Sequence, residues 1–113
     1  MKSKIIALSK NEDFKSLLKG KKISNKFSTI FFIKILDKDK KKLNISFVAK
    51  KKLGNAVKRN KIKRRLRNIM NDAIKRISLN FNYSYLVIAK PTMLNSQYIK
   101  IKEALFADFK RIK

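Results

Sequence analysis

Four of the six arginines in this 113-residue chain, Arg59, Arg64, Arg65 and Arg67, fall within nine consecutive positions. A guanidinium is a planar fork that grips two phosphate oxygens together and stacks on bases, and an ammonium does neither. Around this cluster lie Lys50, Lys51, Lys52, Lys58, Lys61 and Lys63, with Asn55 and Asn60 among them. Not one Asp or Glu occurs between residues 40 and 71. A merely solvated basic helix usually interleaves Glu with Lys for i to i+4 support, so an uncompensated run points to a polyanionic partner. Binding of nucleic-acid phosphate is the chemistry expected here, with Asn60 positioning either a phosphate or a base edge.

Bond-breaking by the chain's own side chains is not expected. Without Cys or His there is no disulfide framework, no thiolate or imidazole metal site and no Ser-His or Cys-His nucleophile pair. The carboxylates Glu12, Asp13, Asp37, Asp39, Asp72, Glu103 and Asp108 lack the clustering with which metal-dependent nucleases hold hydrated magnesium. They read as helix-start residues, a turn and surface pairs. If the protein takes part in a reaction, the reactive centre belongs to its partner.

The whole chain carries 31 Lys or Arg against 7 Asp or Glu, a net charge of +24. Self-repulsion of that size in a small folded domain is relieved by a polyanion, nucleic acid first and anionic membrane second. Lys, Asn and Ile are abundant together, so the lysines alone say little and the arginine cluster carries the argument. The length suits a single nucleic-acid-binding domain spanning residues 1–113, and eleven aromatics and fifteen Ile argue against wholesale disorder. The apolar stretch near the start is too short for a signal-peptide core, and the runs at residues 30–33 and 85–89 cannot span a bilayer. A cytoplasmic location follows as the expectation, with no membrane partner.

The elements that must position the basic cluster can be read from periodicity. Residues 9–20 form a short helix with Phe14, Leu17 and Leu18 on one face and Gly20 at the exit. Residues 29–36 are β-branched and aromatic, and a charged turn at 37–40 ends that strand. Leu43, Ile45, Phe47 and Ala49 alternate with Asn44, Ser46, Val48 and Lys50, a strand with one apolar and one mostly polar face. Residues 85–90 form a third strand, closed by Pro91. Residues 96–112 place Tyr98, Ile101, Leu105, Phe109 and Ile112 at helical spacing, to cover the apolar side of the sheet. Between the second and third strands, Ile62, Leu66, Ile69, Ala73 and Ile77 are spaced 4, 3, 4 and 4, which predicts a long amphipathic helix over 55–77. At about 100° per residue, Asn60, Arg64 and Arg67 project opposite Ile62, Leu66 and Ile69, with Lys63 alongside. Gly54 permits the tight strand-to-helix bend, and free amides at the helix start can themselves hold phosphate. The fold class is α+β: an open sheet with helices in two layers, in the order α-β-β-α-β-α with a β-α-β crossover.

The run Lys51-Lys52-Leu53-Gly54-Asn55-Ala56-Val57, followed by Arg59-Asn60-Lys61-Ile62-Lys63-Arg64, resembles the signature of the bacterial ribonuclease P protein component. Lys10-Asn11-Glu12-Asp13-Phe14 resembles that family's first helix, and Tyr85-Leu86-Val87-Ile88-Ala89-Lys90-Pro91 its last strand and exit. The resemblance implies a small basic subunit of a ribonucleoprotein whose catalyst is RNA. That ribonucleoprotein removes the 5′ leader of precursor tRNA, with Mg2+ bound mainly by the RNA and no obligate protein partner. It implies RNA contacts at Lys51, Lys52, Asn55, Lys58, Arg59, Asn60, Lys61, Lys63, Arg64 and Arg67. It further implies a leader-binding cleft, between this helix and the open sheet face, lined by Phe14, Leu18, Phe31 and Lys50, with Phe32 the alternative to Phe31 if the strand register shifts by one. Two positions depart from the pattern. Lys61 stands where the family usually has Arg, keeping the charge without the fork. Leu18 stands where relatives can carry an aromatic, replacing stacking by apolar contact. The family's crossover is left-handed, whereas general preference favours the right-handed form.

Other partners weigh less. A ribosomal or ribosome-assembly protein shares the size and charge and is the main alternative. No helix-turn-helix spacing or dimer seam supports an architectural DNA binder. The exposed side of the basic helix is too polar, and lacks the Trp, for membrane anchoring.

Overall fold

The computed structural model describes residues 5–6, 11–34 and 43–112, with side chains from residue 15 onward. The elements in chain order are β1 (Ile5–Ile6), α1 (Asn11–Leu18), β2 (Lys21–Ser24), β3 (Ser28–Lys34), β4 (Leu43–Val48), a 3₁₀ turn (Lys51–Leu53), α2 (Ala56–Arg76), β5 (Tyr83–Ala89), a second 3₁₀ turn (Pro91–Asn95) and α3 (Tyr98–Arg111). The sheet has five strands in the order β1-β4-β5-β3-β2, with the two-residue β1 at one edge. β2 and β5 both run antiparallel to β3, while β4 runs parallel to β5. The expected α+β fold is present, with β2 and the short β1 added to the three strands read from periodicity. Lys21-Lys22-Ile23-Ser24 shows no apolar alternation because it is an edge strand, where lysines block further pairing. The charged turn expected at 37–40 lies outside the described residues.

Alternation along β3 divides the sheet into two faces. Ile30 and Phe32 pack with Ile45, Tyr85 and Val87 against Ile62, Leu66, Ile69 and Ala73 of α2 and Ile101, Leu105, Phe109 and Ile112 of α3. Phe31 and Ile33 point the other way, towards Leu17 of α1 and Leu86 of β5. Tyr98 falls outside the α3 stripe and is exposed. Tyr85 is fully buried, edge-to-face with Phe109 at 5.2 Å, and its hydroxyl donates to the Asn80 carbonyl at 2.5 Å.

The hand of the crossover follows from backbone directions on β3. The Ser28 carbonyl, in phase with Ile30, accepts from Asn25 N on the β2 side, and the Phe27 carbonyl accepts from Lys90 N on the β5 side. For L-residues whose side chains face the helices, this puts β5 to the left of β4 when both run upward and α2 lies in front. β4, α2 and β5 therefore form a left-handed crossover, against the usual preference.

Candidate nucleic-acid interface

The basic helix is launched by a short, tightly specified turn. β4 ends at Val48, the chain makes one 3₁₀ turn with Leu53 buried beneath it, and Gly54 takes φ +137°. Only glycine occupies that conformation without strain. The Asn55 side-chain oxygen then accepts from Lys58 N at 3.0 Å and caps α2. Asn55, expected among the RNA contacts, thus has its carboxamide oxygen committed to the helix start. No acidic residue occupies the first turn of α2, so the positive end of the helix dipole stands beside the exposed Lys50, Lys51 and Lys52 without an offsetting charge.

Beyond the cap the helix has distinct sides. Ile62, Leu66, Ile69, Met70 and Ala73 are buried against the sheet. Asn60, Arg64 and Arg67 are exposed on the opposite side, forming the ridge that the spacing predicts. Lys63 is exposed beside it, and Arg59 lies on the same flank but is half-buried. The Nε of Arg59 is buried and has no hydrogen-bond partner among the described residues. On the other flank Lys58, Lys61 and Arg65 border a groove shared with Ile62, Leu94 and Asn95, a cavity of about 350 Å³. Arg65 belongs to the arginine cluster but was not among the contacts that the resemblance implies, and Asn95 was not singled out at all. Only the folded position of the Pro91–Asn95 turn brings them together.

The expected cleft requires a correction. α2 packs on the face that holds Ile30 and Phe32, whereas Phe31 lies on the face covered by α1, so α2 is not one of its walls. Phe32, at 8% exposure, belongs to the core, and the register assigns Phe31 to the α1 side. There α1 packs on β3 and β5, buries Leu17 completely and leaves Leu18 53% exposed. Phe31, Ile33, Val48 and Ile88 around Leu17 and Leu86 remain partly open. Lys50, two residues past the end of β4 at Val48, has extended backbone. Phe14 lies on α1, but its side chain is outside the described residues. The basic ridge and this apolar shelf therefore sit on opposite faces of one sheet.

The described residues contain no group of three or more His, Cys, Asp or Glu that could hold a metal ion. Asp72, farther along α2, accepts from Lys102 Nζ at 2.6 Å, and that hydrogen bond holds its carboxyl below the usual carboxylate range. Burial, and secondarily the neighbouring Tyr83, pushes the Tyr85 hydroxyl well above the usual phenol range. No helix among the described residues is long and apolar enough to cross a membrane.

Comparison with known proteins places this geometry in a family. The Ribonuclease P family model matches residues 3–113. The ribonuclease P protein component of Carboxydothermus hydrogenoformans is 32% identical over 110 residues, covering 94% of this chain and 90% of that one. That of Mycoplasma mycoides is 31% identical over 113 residues, the full length of both. Among solved structures, the RNase P protein of Thermotoga maritima superposes with a TM-score of 0.80 at 25% identity, covering 96% of this chain and 98% of that one. The RNase P protein of Staphylococcus aureus gives 0.71 at 27% identity, covering 94% and 93%.

Proposed function

This chain belongs to the ribonuclease P protein family, and from that premise we propose that it binds the catalytic RNA of ribonuclease P and the 5′ leader of precursor tRNA, assisting leader removal in the cytoplasm. The observation that carries the reading is α2: a carboxylate-free helix start that anchors one side in the core and turns Asn60, Arg64 and Arg67 outward. Two polyanions, the catalytic RNA and its substrate, repel each other, and a subunit of this charge lowers the cost of bringing them together. Lys51, Lys52, Lys58, Arg59, Lys61 and Lys63 extend the same field around the ridge. In this reading the magnesium of the reaction is held mainly by the RNA, and the protein's work is binding and orientation.

The second face supplies substrate preference. A single-stranded leader lying on the α1 side would meet Phe31 and the exposed Leu18, with Lys50 available to a phosphate. Because ridge and shelf lie on opposite faces, catalytic RNA and leader engage the protein without competing for the same surface. The test is Phe31→Ala in the reconstituted holoenzyme, with binding of precursor and mature tRNA measured side by side. Loss of one base-aromatic stack, about 1–3 kcal/mol, weakens precursor binding by roughly five- to a hundredfold and leaves mature tRNA unaffected. Equal losses on both substrates would remove Phe31 from the leader site.

A further inference from the structure

We propose that the groove between α2 and the Pro91–Asn95 turn is a separate nucleotide site. In it Lys58, Lys61 and Arg65 take an RNA phosphate, and Leu94 with the Asn95 carboxamide receives the attached base. The inference rests on the reading of α2 as the RNA-binding element and extends it to a second side of that helix. Lys58, Lys61 and Arg65 are spaced 3 and 4, so they stack in one strip along the groove, well around the helix from Asn60, Arg64 and Arg67. An RNA strand on the ridge and a nucleotide in the groove are therefore held by different side chains.

The lining has the composition a nucleotide requires. Three cations stand along one wall, apolar surface from Ile62 and Leu94 forms the floor, and one amide able both to donate and to accept stands at the edge. The cavity, about 350 Å³, is of small-ligand size. Among the described residues no carboxylate lines it. Asp72, the acid farther along this side of α2, is already held by Lys102. Three like charges at i, i+3 and i+7 destabilise a helix whose one acid, Asp72, is paired with Lys102, and an RNA phosphate is the anion this protein's function supplies. An unstacked base laid on Leu94, with its edge against Asn95, matches the way proteins read single-stranded RNA.

The chain has no cysteine, so one introduced thiol can carry a photo-crosslinker at a chosen position. In the holoenzyme reconstituted with ribonuclease P RNA and precursor tRNA, an Asn95→Cys probe is expected to crosslink to RNA at nucleotides that an Asn60→Cys probe does not reach. Separate labelling of the two RNAs identifies the source. Arg65→Gln should cut the Asn95→Cys crosslink several-fold and lower the slope of log affinity against log salt by about one. Crosslinking from Asn60→Cys but not from Asn95→Cys, or an unchanged slope in Arg65→Gln, would overturn the nucleotide site while leaving the ridge intact. Absence of crosslinks from both positions would overturn the RNA-binding reading and this inference with it.

Discussion

Replacing Gly54 by Ala tests whether the backbone of one residue sets the start of the basic helix. At φ +137° and ψ −168°, Gly54 lies in a region that L-residues avoid, and forcing a Cβ there costs about 1–3 kcal/mol. The added Cβ would also stand 2.9 Å from Lys58 Cδ and 3.3 Å from Lys58 Cβ. The first of these atoms belongs to a flexible, exposed side chain that rotates away cheaply, so the backbone contribution dominates. An unfolding entropy of roughly 2.1 cal/mol/K per residue gives about 0.24 kcal/mol/K for a chain of this length, so the expected fall in Tm is about 4–13 °C. Thermal unfolding of the RNA-free protein by circular dichroism, at fixed concentration and salt, measures it. Combining Gly54→Ala with Lys58→Ala should recover little of the loss. A shift within about 1 °C, or full recovery in the double variant, would refute the argument from backbone strain.

Leu66→Ala removes a fully buried side chain from the interface of α2 with the sheet and should cost about 2–5 kcal/mol in chemical denaturation. Arg64→Gln and Arg67→Gln, both on the exposed ridge, should instead leave stability within about 0.5 kcal/mol while each lowers the salt slope of RNA binding by roughly 0.7–0.9. Tyr85→Phe removes the hydroxyl that donates to Asn80 and should cost about 0.5–1.5 kcal/mol near neutral pH. Because burial raises the Tyr85 pKa in the folded state, its contribution is intact below the unfolded phenol value and is lost as pH rises above it. The Phe variant should therefore show a flatter decline in alkaline denaturation. For Asp72 the sign is opposite: Lys102 lowers its folded pKa, so its contribution is present above the unfolded carboxylate range and lost as pH falls through the folded value. Asp72→Asn should flatten that acid limb.

How much of this was legible beforehand depends on which residues hydrophobic periodicity governs. In α2, Ile62, Leu66, Ile69 and Ala73 all reach the core, and the opposed ridge of Asn60, Arg64 and Arg67 follows from their spacing alone. β2 escaped detection because only one of its four residues, Ile23, packs against the core, too little for a visible alternation. β3 is apolar on both faces, since each face is covered by a helix, so alternation could not decide between Phe31 and Phe32. Asn44, Ser46 and Ser84, which look like residues of a wet face, are buried, and a polar residue type does not reveal that coverage. The groove at Arg65 and Asn95 was illegible for another reason: its walls lie thirty residues apart and meet only through the left-handed crossover and the turn after β5.

The central claim, that this chain lends charge and shape to a reaction carried by RNA, is tested most directly by reconstitution. Purified protein is added to ribonuclease P RNA at low magnesium, and release of the 5′ leader from precursor tRNA is followed with time. The account predicts little processing by the RNA alone, none by the protein alone, and restored processing by the two together, with the gain lost as salt rises. Cleavage by RNA-free protein, or no gain on adding it to the RNA, would contradict it.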